Sequence, residues 1–225
     1  MDMNSNPLAN IPQHFGSKST QPHKFFERFL DNDLEVLKSE LQKRYELIEQ
    51  AKIIGVTPAG PQEAWKQSNS VSTMKWQQYN VFQFHSDGLH NLYKAISDMV
   101  KEACVYYGVN FEEQKYMVQG WFNITHAGKG KLDWHDHGPD GAPHFHGYYS
   151  VSAEPSVTYY KLFGKTDVEN VNINNRAILS EMGHPHSMAD WDWEGPRITV
   201  AYDVTPLWAL KQAGIGAEQH WTPLL

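Results

Sequence analysis

Cysteine is almost missing from this chain: Cys104 stands alone among 225 residues. A single thiol excludes an internal disulfide and any zinc module built on several cysteines. Its expected place is inside a helix, as a small apolar residue. Long hydrophobic runs are missing too, and no apolar stretch approaches the ~18 residues that a bilayer span needs. Residues Met1 to Pro22 are polar, rich in Asn, Ser and Gln, and lack the apolar segment of a secretory leader. No tract is rich in Lys and Arg; 19 basic residues against 26 acidic ones give a formal charge of −7. A basic nucleic-acid-binding patch is therefore not expected, although a nucleobase or nucleotide remains open as a small substrate. These absences lead us to expect a soluble cytoplasmic protein without membrane contact.

Aromatics, by contrast, are abundant, with eight Trp, eleven Tyr and ten Phe in a chain that is 40% apolar. They favour strands and line pockets. Length fits one domain over residues 24–225, preceded by a flexible arm at 1–23. From Asp31 to about Ile54, Leu34, Leu37, Leu41, Tyr45 and Ile48 recur at helical steps. A short helix is expected at Pro61–Gln67 and a strand at Met74–Phe84. A second long helix is expected at Gly88–Tyr107, with Leu89, Leu92, Ile96, Met99, Ala103 and Tyr106 as its stripe and Gly108 as its stop.

Beyond residue 115 the pattern changes to short runs of Val, Ile, Tyr, Phe and Trp between Gly, Pro, Asn and Asp. Strands are expected at Tyr116–Ile124, Lys131–His137, His144–Ser152, Val157–Phe163, Arg176–Glu181, His186–Asp190 and Arg197–Asp203, and a last helix at Pro206–Gly214. The segments at 138–144 and 164–175 read as loops. The expected fold is mainly β with packed helices: a double-stranded β-helix (jelly-roll) core over about 115–204, with helices N-terminal to about 112.

Histidine carries the chemistry. Seven of the twelve lie between residues 126 and 186. Four form two His-x-His pairs, His135/His137 and His144/His146, and His184-Pro185-His186 follows. Alternate side chains of a strand share a face, so His135 and His137 can point at one atom. Imidazole is the usual protein donor to Fe, Zn, Cu and Ni. A structural zinc site usually needs a fourth ligand, often Cys, and the lone Cys is remote. A catalytic metal held by His135, His137 and His186 is the sharper expectation. Asp136 points to the other face of a regular strand, but a bulge could present it instead of His137. His144, His146 and His184 are expected to line the pocket or support the ligands. Trp134, Trp191 and Trp193 flank the site in sequence and are expected to pack in the core, with stacking on a flat substrate as the alternative.

Arg197 lies on an expected strand with Thr199 two residues on, facing the same way. A guanidinium grips a carboxylate through paired bonds and the hydroxyl can add another. An Arg buried in a barrel needs an anionic partner. Beside a histidine-lined metal site, that partner reads as a bound dicarboxylate.

Five pieces now stand in order: Trp121-Phe122-Asn123, His135-Asp136-His137, His146-Gly147-Tyr148-Tyr149, His186 and Arg197-Ile198-Thr199. In this order and spacing the chain resembles the 2-oxoglutarate/Fe(II)-dependent oxygenases, most of all a small prolyl-hydroxylase-related group of phages and marine bacteria. The resemblance runs from about Trp121 to Asp203. It implies Fe(II), 2-oxoglutarate and O2 as cofactors, and His135 and His186 as iron ligands. It also implies Arg197 and Thr199 on the distal carboxylate of 2-oxoglutarate, with Asn123 and Tyr149 lining the cosubstrate pocket. Most of that superfamily has His-x-Asp where this chain has His135-x-His137, which leaves the third ligand between His137 and Asp136. A cupin-like three-histidine metal dioxygenase or isomerase that needs no oxoacid, and a non-catalytic β-barrel binding protein, are the competing readings. The substrate, small molecule or protein, is not written in the sequence. Trp208 and Trp221 could pack within the chain or across a homodimer. A phage origin would place the protein in the host cytoplasm.

Overall fold

The computed structural model describes residues 22–51, 70–75, 79–128, 132–137, 145–162, 166–181, 183–213 and 220–225. Strands are β1 (Phe26–Phe29), β2 (Ser70–Ser72), β3 (Tyr116–Thr125), β4 (Leu132–His135), β5 (Phe145–Ser152), β6 (Val157–Leu162), β7 (Thr166–Val171), β8 (Arg176–Glu181), β9 (His186–Met188), β10 (Arg197–Pro206) and β11 (Thr222–Pro223). Helices are α1 (Leu34–Ala51), α2 (Asp87–Tyr107), α3 (Phe111–Gln114) and α4 (Leu207–Ala213). The larger sheet runs β1-β8-β5-β10-β3-β11, with β2 also on β3; the smaller runs β4-β9-β6-β7. Their pairings are antiparallel throughout. Two facing sheets of this kind, with helices on the outside of the larger one, form the expected jelly roll.

Period-two alternation decides what faces where. On β10, Ile198, Val200, Tyr202 and Val204 join the main apolar core with Leu37 and Leu41 of α1 and Leu89, Leu92, Ile96 and Met99 of α2. The intervening residues, Arg197, Thr199, Ala201 and Asp203, face the smaller sheet. A second cluster there contains Trp121, Tyr148, Tyr160, Ile178 and Ala201. α2 starts where Ser86 accepts a hydrogen bond from the Leu89 amide, and stops at Gly108, whose φ of 70° is left-handed. Cys104 is buried on α2. No helix among the described residues is long and apolar enough to cross a membrane.

Several expected elements are corrected. The described residues of Met74–Phe84 form no strand: 3-10 turns lie at Thr73–Lys75 and Val81–Gln83, and a strand lies earlier, at β2. Asn80 sets the second turn by accepting from the Phe82 amide, while its own amide donates to the Val118 carbonyl. The expected loop 164–175 contains β7, which pairs with β6 along its length. β1 had no alternation to reveal it; it is an edge strand zipped onto β8. The expected helix at 61–67 lies outside the described residues, as does most of the N-terminal arm. Of the three flanking tryptophans only Trp191 is buried, while Trp134 and Trp193 are exposed. Trp208 packs within the chain, donating to Gln114 at 2.9 Å.

Gly147 marks the tightest approach in the larger sheet. A Cβ there would meet the Ile178 carbonyl oxygen inside contact distance and the Tyr202 ring at 2.5 Å. Tyr202 is pinned in turn, donating to that carbonyl at 2.6 Å. Gly147→Ala is therefore expected to destabilise the fold by about 3 kcal/mol. Urea unfolding checks this, and an unchanged midpoint would show that the sheet yields freely.

Candidate metal centre

Register brings the histidines together. His135, the last residue of β4, pairs with His186, the first of β9, and Tyr160 of β6 pairs with His186 on its other side. His137 lies two residues beyond β4. Nitrogen atoms of His135, His137 and His186 lie within 4.8 Å of one another. Ring centroids are 4.4 Å apart for His135–His186, 5.2 Å for His135–His137 and 5.1 Å for His137–His186. Asp136 is exposed and belongs to no such group among the described residues.

The larger sheet supplies two more residues. His146 of β5 stands opposite Asp203 of β10. The two Asp203 oxygens are divided between two imidazoles: Oδ1 lies 2.8 Å from His146 Nδ1, and Oδ2 lies 3.3 Å from His137 Nδ1. His146 stacks on His137 with centroids 3.9 Å apart, and Trp121 lies parallel to His137 at 5.5 Å. Asp203 was missed in the sequence; the alternation Arg197, Thr199, Ala201, Asp203 signals its face but not its histidine partners. His146, expected as pocket lining or support, sits inside the cluster. His184 turns away, its ring 4.6 Å from His23, but its carbonyl faces His186 Nδ1 at 3.4 Å. His144 lies outside the described residues.

The donor atoms fit a metal. His135 Nδ1 faces the Asp133 carbonyl at 2.8 Å. Each of the four imidazoles thus turns Nδ1 toward an oxygen, a carbonyl for His135 and His186 and a carboxylate for His137 and His146. Such second partners fix the ring and leave Nε2 as the ligand atom. His137 Nε2 is buried without a hydrogen-bond partner, an orphan that a metal ion would satisfy.

Electrostatics follow the same layout. Burial, with the neighbouring histidines, holds His186 well below the ordinary histidine value and His146 down to about 4; burial also lowers His135. Burial pushes His137 the same way, but Asp203 outweighs it and raises His137. Burial would raise Asp203, yet His137 and His146 bring it well below the usual carboxylate range. Burial and His184 lower His23 to about 4.

A pH dependence follows for the metal-free protein. Four lowered histidines must take up protons on unfolding as pH falls below about 6.5, so their stability is present above that value and lost as pH falls toward each folded value, about 4 for His23 and His146. His137 has the opposite sign: its contribution is present below about 6.5 and lost as pH rises through its folded value. The net sign is a loss on acidification, about 1.4 kcal/mol per pH unit for each histidine that unfolding must protonate. Chemical denaturation at pH 7 and pH 5 measures it; equal stability would mean that these rings are not buried neutral.

A second polar group lies deeper between the sheets. Arg197 is 5% exposed, and burial drops its pKa to about 10. Its Nε donates to Ser156 Oγ at 3.0 Å. Ser156 is spoken for, donating to the Ala153 carbonyl and accepting from Asn172. Among the described residues no carboxylate forms an ion pair with Arg197. Thr199 stands on the same face, opposite Asn123 on β3 and Ser150 on β5. Among the described residues the buried Ser150 and Tyr160 hydroxyls have no hydrogen-bond partners. Tyr149, expected in this pocket, is corrected: it faces the helices, where Asn32 donates to its hydroxyl at 3.0 Å and the hydroxyl donates to Asn175. Its neighbour Tyr148 takes the inward place, in the cluster with Trp121 and Tyr160.

No family model matches the chain, and no curated protein does. Solved structures do match. A Trichoplax adhaerens prolyl hydroxylase, in complex with a hypoxia inducible factor oxygen degradation domain peptide fragment, superposes at a TM-score of 0.57 and 10% identity, covering 87% of this chain and 88% of that one. A Pseudomonas putida prolyl-4-hydroxylase gives 0.54 and 11%, covering 80% and 91%. HygX from Streptomyces hygroscopicus, with nickel, 2-oxoglutarate and hygromycin B bound, gives 0.50 and 12%, covering 83% and 84%. The chain resembles the 2-oxoglutarate/Fe(II) oxygenases in architecture and shares their jelly-roll fold.

Proposed function

We propose that the protein is a non-haem Fe(II)- and 2-oxoglutarate-dependent dioxygenase, a hydroxylase of an organic substrate. The observation that carries this is the pairing of two unsatisfied groups between the same two sheets. One is a three-histidine donor set with an orphaned buried nitrogen. The other is a buried Arg197 that no carboxylate among the described residues pairs with. A buried charge without a counter-charge is costly to keep, and a bound dicarboxylate would relieve it. His135, His137 and His186 would hold the iron. Arg197 and Thr199 would take the distal carboxylate of 2-oxoglutarate, with Asn123 beside Thr199 and the free Ser150 and Tyr160 hydroxyls within the same interior. Iron, when bound there, would couple oxidative decarboxylation of the oxoacid to hydroxylation. Trp121, Tyr148 and Tyr160 would wall the chamber and keep water from it.

The lack of a carboxylate among the three nearest donors favours one second reading: a three-histidine metal dioxygenase without an oxoacid, in which Arg197 holds a substrate carboxylate directly. Anaerobic titration of the metal-free protein with Fe(II) and then 2-oxoglutarate separates the two. The oxoacid-dependent reading expects a visible charge-transfer band on adding 2-oxoglutarate, and succinate once oxygen and substrate are admitted. Iron binding with neither signal favours the second reading. Failure to bind iron ends both.

A further inference from the structure

We propose that Asp203 is a positioning residue for this metal centre: it sets the ring nitrogen that His137 and His146 leave free, and it supplies from behind the ligands the negative charge that His135-x-His137 leaves out. The inference rests on the metal-centre reading above.

The carboxylate is shared in a way that leaves it little freedom. Each oxygen faces one imidazole, Oδ1 at 2.8 Å from His146 Nδ1 and Oδ2 at 3.3 Å from His137 Nδ1. An ionised carboxylate only accepts, so both Nδ1 atoms must donate, and in the neutral rings both Nε2 atoms carry the lone pair. A ligand histidine with the other tautomer could not bind through Nε2. The backbone also holds Asp203 still. β10 is bonded on both sides, to β3 and to β5, with Asp203 in register opposite Gln119 and His146. Trp121 lies parallel to the His137 ring and limits its rotation.

The nearby acids do not fill this role. Asp136 and Asp133 are exposed, and only the backbone carbonyl of Asp133 reaches a ring of the cluster. His135 and His186 also rest on carbonyls, which are neutral acceptors. A carboxylate behind His137 raises the basicity of its ligand nitrogen beyond what a carbonyl does. His146 has a matching part. It occupies Oδ1, so the carboxylate is tied back into the larger sheet.

The same atoms offer the competing outcome: His137, His146 and Asp203 are themselves a group with donor atoms within 4.8 Å of one another. The test uses the full chain as wild type, Asp203→Asn and Asp203→Glu. Zn(II) affinity is measured by competition with a chromophoric chelator. One equivalent should bind in each protein, 10- to 100-fold more weakly in Asp203→Asn, with Asp203→Glu recovering most of the loss. Nitrogen NMR of the metal-free wild type, recorded above the histidine titration range, should show the proton on Nδ1 of both His137 and His146. Equal Zn(II) affinity in wild type and Asp203→Asn overturns the proposal, as do Nε2 protons on the two rings. A second Zn(II) equivalent that vanishes in Asp203→Asn also overturns it, by making Asp203 a ligand. If wild type binds no metal, the metal-centre reading fails; the tautomers, read without metal, still report whether Asp203 sets the rings.

Discussion

Replacing Arg197 by methionine is expected to stabilise the metal-free protein while nearly abolishing its affinity for 2-oxoglutarate. On the proposed reading the guanidinium is buried for a ligand's sake, so the two effects have opposite signs. Without that ligand, Arg197 has one hydrogen bond, from Nε to Ser156, and no carboxylate partner among the described residues. Apolar replacement of buried charge is often neutral or stabilising, by about 1–4 kcal/mol. Removing one partner of a buried, hydrogen-bonded charge pair costs about 2–5 kcal/mol, roughly 30- to several-thousand-fold in affinity. Fe(II) binding should change little, since Arg197 belongs to neither donor group. Thermal unfolding and anaerobic titration read the two effects separately. A strong loss of stability with unchanged oxoacid affinity would make Arg197 a structural residue and remove the dicarboxylate from the argument.

His186→Ala is expected to remove metal binding altogether at micromolar metal. His186 is the donor in register with His135 on one side and Tyr160 on the other, and without it the group falls to two nitrogens. The clearest readout is linkage. Metal that binds only the folded state adds RT ln(1 + [L]/Kd), about 4 kcal/mol at a thousandfold excess over Kd. Wild type should therefore melt higher with Zn(II) or anaerobic Fe(II), and His186→Ala should not. Circular dichroism of the variant separates lost binding from lost fold. A metal-dependent rise in melting temperature that survives in the variant would take His186 out of the site.

The parts of the site that could be read from sequence are those encoded within a few residues. His135 and His137 share a face by local alternation, and Arg197 with Thr199 does the same. What could not be read depends on register between strands distant in the chain. Asp203 reaches His146 because β10 pairs with β5 across 57 residues, and no local pattern encodes that partner. Tyr149 and Tyr148 show how small the margin is: an error of one position turns a side chain from the chamber to the helices. Fold class was legible from strand spacing and the α2 stripe. β7 was hidden because Asp167, Glu169 and Asn170 make it look like a loop, and only pairing with β6 gives those residues a strand. The segment 79–84 erred the other way, since its aromatics suggest a strand while Asn80 bonds Val81–Gln83 into a turn.

His137 has a place no other residue of the cluster shares. His135 and His186 belong to the smaller sheet; His146 and Asp203 belong to the larger. His137, just past the end of β4, lies in the first donor group and also reaches the Asp203 carboxylate. A metal gripping His135, His137 and His186 is thereby tethered through one imidazole to the opposite wall. Shear between the two walls would reach the ion as a tilt of that ring, and through the His146 ring stacked 4.7 Å from His186. A bound ion would then serve as a strain gauge for the sandwich, its ligand-field spectrum registering how far the two walls move against each other.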